Sequence, residues 1–381
     1  MADKIDVVSA QNGKEFKDFL EIPFIIQGDN PLWVPPLRVM DKELFDYNKN
    51  PFYAHAKMRR FVAYKNGRPV GRIAAVNDEH HNKYNNENTC IFGHFETIED
   101  FEVAKLLFEK VEECAREWNF DLIKGPFNPH INETIGTLVD AFDLPPVIMM
   151  PYNPPYYPEF IEKAGYGKCM DVFSYKVEQT SFSEKTIRGA KIIKKRTKLN
   201  FRHMGKKTFW QDAEKILEVH SRAWEDNWGA VPFTDEEFHH LAVNMKSTLD
   251  YDMINLAEDD DGKLVGFSLA LPDTNIALRK IRDGRLFPFG LPKLLWNTRK
   301  GAIDCVRVII MGVLEEYRNR GVDAVFHYDN LMVGQKKGYK WAEISWVLES
   351  NKMMNRVAET VGAQKYKTYR IYEKPVGHLA I

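Results

Sequence analysis

Four cysteines in 381 residues, Cys90, Cys114, Cys169 and Cys305, are too far apart to staple a fold, and no CxxC spacing marks a zinc site. The histidines lack HExxH and HxH patterns. His80-His81 and His239-His240 are adjacent pairs, and neighbouring residues share no face of a helix or strand, so no metal is expected. Glu258 to Gly262, EDDDG, has the acidity of a calcium loop without its spacing and reads as a hairpin turn. No apolar run reaches the roughly 20 residues that cross a bilayer. The opening residues, MADKIDVVSAQNGKEF, are too polar for a secretory leader. A net charge of -1 excludes a surface built throughout for nucleic acid. The expectation is a cytoplasmic protein with reduced thiols.

What is present suffices for two cores: 44% of residues are hydrophobic and 13% aromatic. The two halves share a design. RRFVAYKNGRPVGRIAAVN reads as two strands about Asn66-Gly67, and MINLAEDDDGKLVGFSLALPD repeats it about Asp261-Gly262. Val70-Gly71 and Val265-Gly266 fall at the same place in the second strand, an offset of about 195 residues. Each half then has an apolar strand (IFGHFE; CVRVIIMGV), a helical pattern, a short strand (DLIKG; WAEISWVLE), and a closing helix, glycine and strand. The join is placed near 177–183, giving domains 1–180 and 181–381. This order predicts an α/β (α+β) fold: in each domain a mostly antiparallel mixed sheet, with one parallel pair at its centre, covered by helices.

YRNRGVDAVFHYDN, 317–330, lies between CVRVIIMGV and a helix, a place where backbone amides meet phosphates. The element order resembles the GNAT acyltransferase fold, and this stretch sits where that family keeps its Arg/Gln-x-x-Gly-x-Gly/Ala loop. PYNPPYYPEFIEKAGY, AWEDNWGAVPFTDEEF and SWVLESNKMMNRVAETVGAQKYKTYRIYEK are similar to signatures of GNAT-like proteins of this length associated with lipid N-acylation, including bacterial ceramide synthesis. The resemblance implies a tandem GNAT N-acyltransferase that uses acyl-CoA as cosubstrate and no metal. It places the cofactor along Met311 and Val313, the loop Arg318, Asn319, Arg320, Gly321, Val322 and Asp323, and Asn351.

Arg318 and Gly321 match the family's fixed positions, whereas Asp323 replaces the usual Gly or Ala. Facing the phosphates it would repel them by roughly 1 kcal/mol or more; facing away it would favour the helix start. The bland alternative is a capped helix start with charges. Asn351 reads equally as a helix N-cap. The first half offers TIEDFEVA at the matching place, acidic and without glycine, and is expected not to bind coenzyme A in the family manner. The tyrosine that often serves the family as general acid is replaced by Ala358 in one half and Ile161 in the other.

For acid–base work, alternation puts Glu343, Ser345, Val347 and Glu349 on one face of a strand. Glu343 is the candidate base, or else a carboxylate paired to a neighbour such as Arg307. Tyr369, with Tyr372, is the candidate donor; packing is the alternative. Trp224 and Trp228 flank Asn227 and form a candidate acceptor wall, or one core stripe. The insertion 274–305 mixes Leu, Phe and Trp with Arg and Lys. It lines a long acyl chain, touches a membrane surface, or packs as a lid. Ten Lys or Arg with no acid between Lys185 and Lys207 favour a rival, nucleic-acid binding, but no base-reading motif accompanies them. The expected partner is a small-molecule or lipid amine, not nucleic acid; the other rival is a GNAT-derived binding protein without chemistry.

Overall fold

The hairpin turn at Asn66 (φ 51°) and Gly67 (φ 77°) has the two left-handed residues of a type I′ connection, which matches the twist of its strands. It joins strands β2 (Ala56–Lys65) and β3 (Arg68–Asp78) in a computed structural model that describes residues 4–377 apart from 226 and 247. The fold is mixed α/β, and its strands are mostly antiparallel. The chain divides into two compact units, 1–172 with 277–294 and 367–381, and 173–276 with 295–366.

In the first unit, β1 (Ile5–Ser9), β2, β3 and β4 (Thr89–Thr97) are antiparallel neighbours, and β4 runs parallel to β5 (Leu122–Gly125). Helix α1 is Gly13–Gln27 and α2 is Phe101–Glu117. The alternation of α2 buries Val103, Leu107, Phe108 and Val111 against Ile73, Phe92 and Ile123 of the sheet. Strand β6 follows at Gly167–Glu178; its residues up to Val172 belong to this unit and those from Phe173 to the second.

The second unit repeats the plan. Strands β7 (Asn200–His203), β8 (Ile254–Glu258), β9 (Leu264–Pro272) and β10 (Cys305–Val313) are antiparallel in that order. β10 then runs parallel to β11 (Trp341–Leu348). Its helices include α3 (Glu184–Arg196), α4 (Phe209–Trp224) and α5 (Val322–Lys337). The β8–β9 turn is wider than its counterpart: Asp259 accepts hydrogen bonds from the N–H groups of Asp261 and Lys263, and only Gly262 has positive φ. The C-terminal strand β12 (Gln364–Pro375) gives Tyr372–Pro375 to the first unit, antiparallel to β5.

Candidate active site

Where the central parallel pair of the second unit ends, its strands part. Pairing covers Cys305–Val308 against Trp341–Ile344 and goes no further, while β9 stays bonded to β10 up to Val313. Among the described residues, the other edge of Ile309–Val313 has no strand beside it, and Ile309, Ile310, Met311 and Val313 are partly exposed. Both Met311 and Val313, named from the family pattern, lie on this open stretch.

The fork is closed at its root by a buried polar network. Glu343 has no exposed surface and accepts hydrogen bonds from Ser345 Oγ (2.5 Å), Ser174 Oγ (3.3 Å) and the Tyr366 hydroxyl. Arg307 stands opposite it in register and donates from Nε to Ser345 Oγ at 2.9 Å. Three hydroxyl donors meet the cost of burying the carboxylate. The shared face of Glu343 and Ser345 expected from alternation is therefore real, but this carboxylate fixes the strands and does not meet solvent. Tyr369, the other residue named for acid–base work, belongs to the first unit, fully buried in β12 opposite Leu138.

The open strand runs into the loop that precedes α5. Arg318 pins that loop by donating to the carbonyls of Val313 and Ala223, each at 3.3 Å. Asn319 (φ 61°) and Gly321 (φ 77°) are left-handed. Among the described residues, the first N–H of this stretch to find a backbone acceptor is that of Val325, bonded to Gly321 O at 3.2 Å. The amides of Asn319 to Asp323 are left without one. The positive φ of Gly321 favours glycine, and a Cβ there would lie 2.6 Å from the end of the Ile193 side chain of α3, which would have to shift. Asp323 acts electrostatically on His327 one turn along, whose pKa burial nevertheless lowers. Asn319 and Arg320 are exposed. Lysines of α3 and α5 (Lys191, Lys194, Lys195 and Lys336) line a groove of about 560 Å³ with Tyr328 and Asp329. The basic run thus belongs partly to ion pairs, with Lys194 Nζ 2.7 Å from Asp329.

On the other side of β10 stands an aromatic wall. A Cβ on Gly312 would lie 2.4 Å from Trp224, so the indole rests on the strand backbone. Its centroid lies 6.1 Å from Phe267, and His220 stacks on it at 4.8 Å and 22°. His220 is 8% exposed, and its Nδ1 has no hydrogen-bond partner among the described residues. Burial pushes its pKa down to about 4, so the ring is neutral at neutral pH. His220 did not emerge from the sequence; its one signal was its position four residues before Trp224 on the same helical face. Asn227 and Trp228 follow in the turn after α4, both partly exposed, with Asn227 N–H bonded to Trp224 O at 2.9 Å. Asn351 caps the helix Lys352–Thr360 by accepting from Met354 N–H at 3.0 Å. Ala358 in that helix is buried.

The corresponding fork of the first unit is filled. A Cβ on Gly93 would lie 1.9 Å from Phe127 O, and His94 N–H donates to Asn128 Oδ1 at 2.6 Å. All of β4 except Glu96 is buried. Its following turn is capped by Asp100, which accepts from Glu102 N–H at 3.1 Å and pairs with Lys65 at 2.8 Å. Of the insertion, Arg282 donates to the carbonyls of Gly28, Asn30 and Trp33, so it anchors the chain and does not offer itself to an anion. Among the described residues no cluster of His, Cys, Asp and Glu has metal-binding geometry, and no helix is long and apolar enough to cross a membrane.

Comparison with known proteins gives the same architecture. The chain is 33% identical over 371 residues to "Protein YghO" of Escherichia coli (strain K12), covering 96% of this chain and 94% of that one. It is 33% identical over 383 residues to "Bacterial ceramide synthase" of Caulobacter vibrioides (strain NA1000 / CB15N), covering 97% of each. Among solved structures, a tandem GNAT protein from the clavulanic acid biosynthesis pathway superposes with a TM-score of 0.59 over 99% of this chain and 100% of that one, at 12% identity. No family model matches.

Proposed function

This chain belongs to the family of tandem GNAT-fold proteins that includes the Caulobacter bacterial ceramide synthase, and from that premise we propose that it is an acyl-CoA-dependent N-acyltransferase acting in its second unit. One observation carries the reading. The open edge of Ile309–Val313 leads directly into a run of unbonded amides at Asn319–Asp323. An amide-bearing pantetheine arm would add to the strand edge by main-chain hydrogen bonds, and the pyrophosphate would meet the amides at the positive end of the α5 dipole.

The acceptor amine would approach beside the Trp224 wall. It attacks the thioester carbonyl, forming the C–N bond as the C–S bond breaks. The proton that the attacking nitrogen loses passes to the departing thiolate, and His220, stacked on Trp224 with its Nδ1 buried, acts by positioning that wall. Glu343 and Arg307 act by positioning, holding the fork open at its root. The name of the Caulobacter relative points to a long-chain amine acceptor and a fatty acyl donor.

The test is direct. Incubate the intact protein with acetyl-, octanoyl- or palmitoyl-CoA and sphinganine, then follow free thiol and N-acyl product by mass spectrometry. Thiol release coupled to amide formation with the longer donors is expected. Absence of amide with every donor, or amide from acetyl-CoA alone, would overturn the reading.

A further inference from the structure

The insertion presents its apolar side chains to solvent. Phe287 and Phe289 are each 73% exposed, Leu295 63% and Trp296 66%. Exposure of this kind costs solubility unless something covers it. The insertion's backbone is also tied back on itself. A Cβ on Gly290 would lie 1.9 Å from Arg285 O, and Leu291 N–H closes the loop on Leu286 O at 2.6 Å. The helix Gly290–Asn297 follows without a break, so the rings stand out from a fixed turn. The base of the segment is fastened by Arg282 and by Arg38, whose N–H and Nε donate to the carbonyls of Gly284 and Asp283. Directly after Arg38 come Val39 and Met40, 58% and 59% exposed.

Charge says what covers this surface. Between Asp283 and Asp304 the sequence has no acid, and Arg285, Arg299 and Lys300 stand exposed there, in a chain whose net charge is -1. The Arg299 guanidinium lies 4.3 Å over the Trp296 ring, an aromatic–cation pair suited to headgroup depth. A second copy of the chain would bring the same positive charges face to face in a two-fold contact. An anionic bilayer would neutralise them while its acyl region takes the rings. We propose that residues 284–303 form a docking surface for an anionic lipid bilayer. The contact is peripheral, made by a loop and a short helix lying in the interface.

This deepens the reading above, since a bilayer is where a long-chain amine resides, but its test needs neither acyl-CoA nor acceptor, so each can fail alone. Measure cosedimentation of the intact protein with vesicles of phosphatidylcholine, alone or with roughly a third phosphatidylglycerol. Partition at least tenfold stronger onto the anionic vesicles is expected, since each basic residue at such a surface is worth about fivefold. The variant Phe287→Ser/Phe289→Ser/Trp296→Ser, whose side chains are already exposed, should keep its melting temperature and lose at least about tenfold in partition. Arg285→Gln/Lys300→Gln should lose roughly twentyfold on anionic vesicles only. Three results would overturn the proposal: no binding to anionic vesicles, unchanged partition of the aromatic variant, or a solution dimer by light scattering that the aromatic variant disperses. Loss of palmitoyl-CoA binding by that variant with vesicle binding intact would instead assign the rings to an acyl groove.

Discussion

The two forks are built from the same parts and reach opposite ends. In the first unit, β4 is buried along almost its whole length because Phe127 and Asn128 occupy the space that opens beside Gly93 and His94. In the second, the matching strand is partly exposed at Ile309, Ile310, Met311 and Val313, and no strand among the described residues pairs with that edge. The turns differ in the same sense. Asp100 takes one of the first amides of α2, that of Glu102, with its own carboxylate, whereas the amides of Asn319 to Asp323 have no backbone acceptor among the described residues. A duplicated fold thus gives one half that is closed on itself and one half that is open. The presence of a strand–loop–helix unit does not make an anion site; what counts is whether its amides have already been used.

The sharpest way to break this contrast is Gly321→Glu. It places a carboxylate and a clashing side chain at the mouth of the amide run, and should weaken coenzyme A binding by roughly a thousandfold in titration calorimetry. Gly321→Asn, which tolerates the left-handed backbone and brings the same Cβ contact with Ile193 but no charge, separates the electrostatic loss from the steric one. An equal loss from Asp100→Ala in the first unit would end the assignment of the site to the second.

A smaller effect separates two buried imidazoles, one in each unit. Burial holds the pKa of His94 well below its ordinary value, with Arg72 and Arg60 adding to it; His220 is pushed down to about 4 by burial alone. Between pH 6.5 and 4 the unfolded chain binds a proton at His220 that the folded chain refuses. Stability therefore rises with pH across that window and falls on acidification. His220→Gln removes this term, so its melting temperature should decline less than the wild type's over the same range, by a few degrees. Its turnover at neutral pH should fall only severalfold, with KM rising as the Trp224 wall loosens. Equal acid sensitivity of variant and wild type would deny that the ring is buried neutral.

The smallest change concerns the closed half. Asp100→Ala deletes a helix cap and its pairing with Lys65, and should cost about 1 kcal/mol in denaturant unfolding while leaving coenzyme A affinity unchanged.

Much of this was legible in the chain itself, because hairpins, glycine spacing and helical periodicity are local signals. Asn66-Gly67 names its own turn, and the left-handed Gly321 is the residue that such a helix start requires. What stayed hidden is what arises between segments distant in sequence. IFGHFE carries no sign that Phe127 will press its carbonyl against Gly93, because main-chain packing leaves no pattern in side-chain type. His220 reads as an ordinary helix histidine until its neighbours are known. Glu343 was visible as a polar residue in a core strand, yet only the donors around it distinguish a buried clamp from a base. The exposure of Phe287 and Trp296 could not be read either, since an apolar insertion looks the same whether it faces a core or water.

The placement of β12 bears on how the protein is made. The strand that lies against β5 is formed by Tyr372–Pro375, at the far end of the chain. A ribosome that has released residues 1–172 has therefore produced a sheet with one edge still bare, and that edge waits for some 200 further residues to be synthesised. The first half cannot finish folding as it emerges, and a fragment cut at the sequence join would lack its last strand. The plan is repeated within the chain, but the repeats do not close independently.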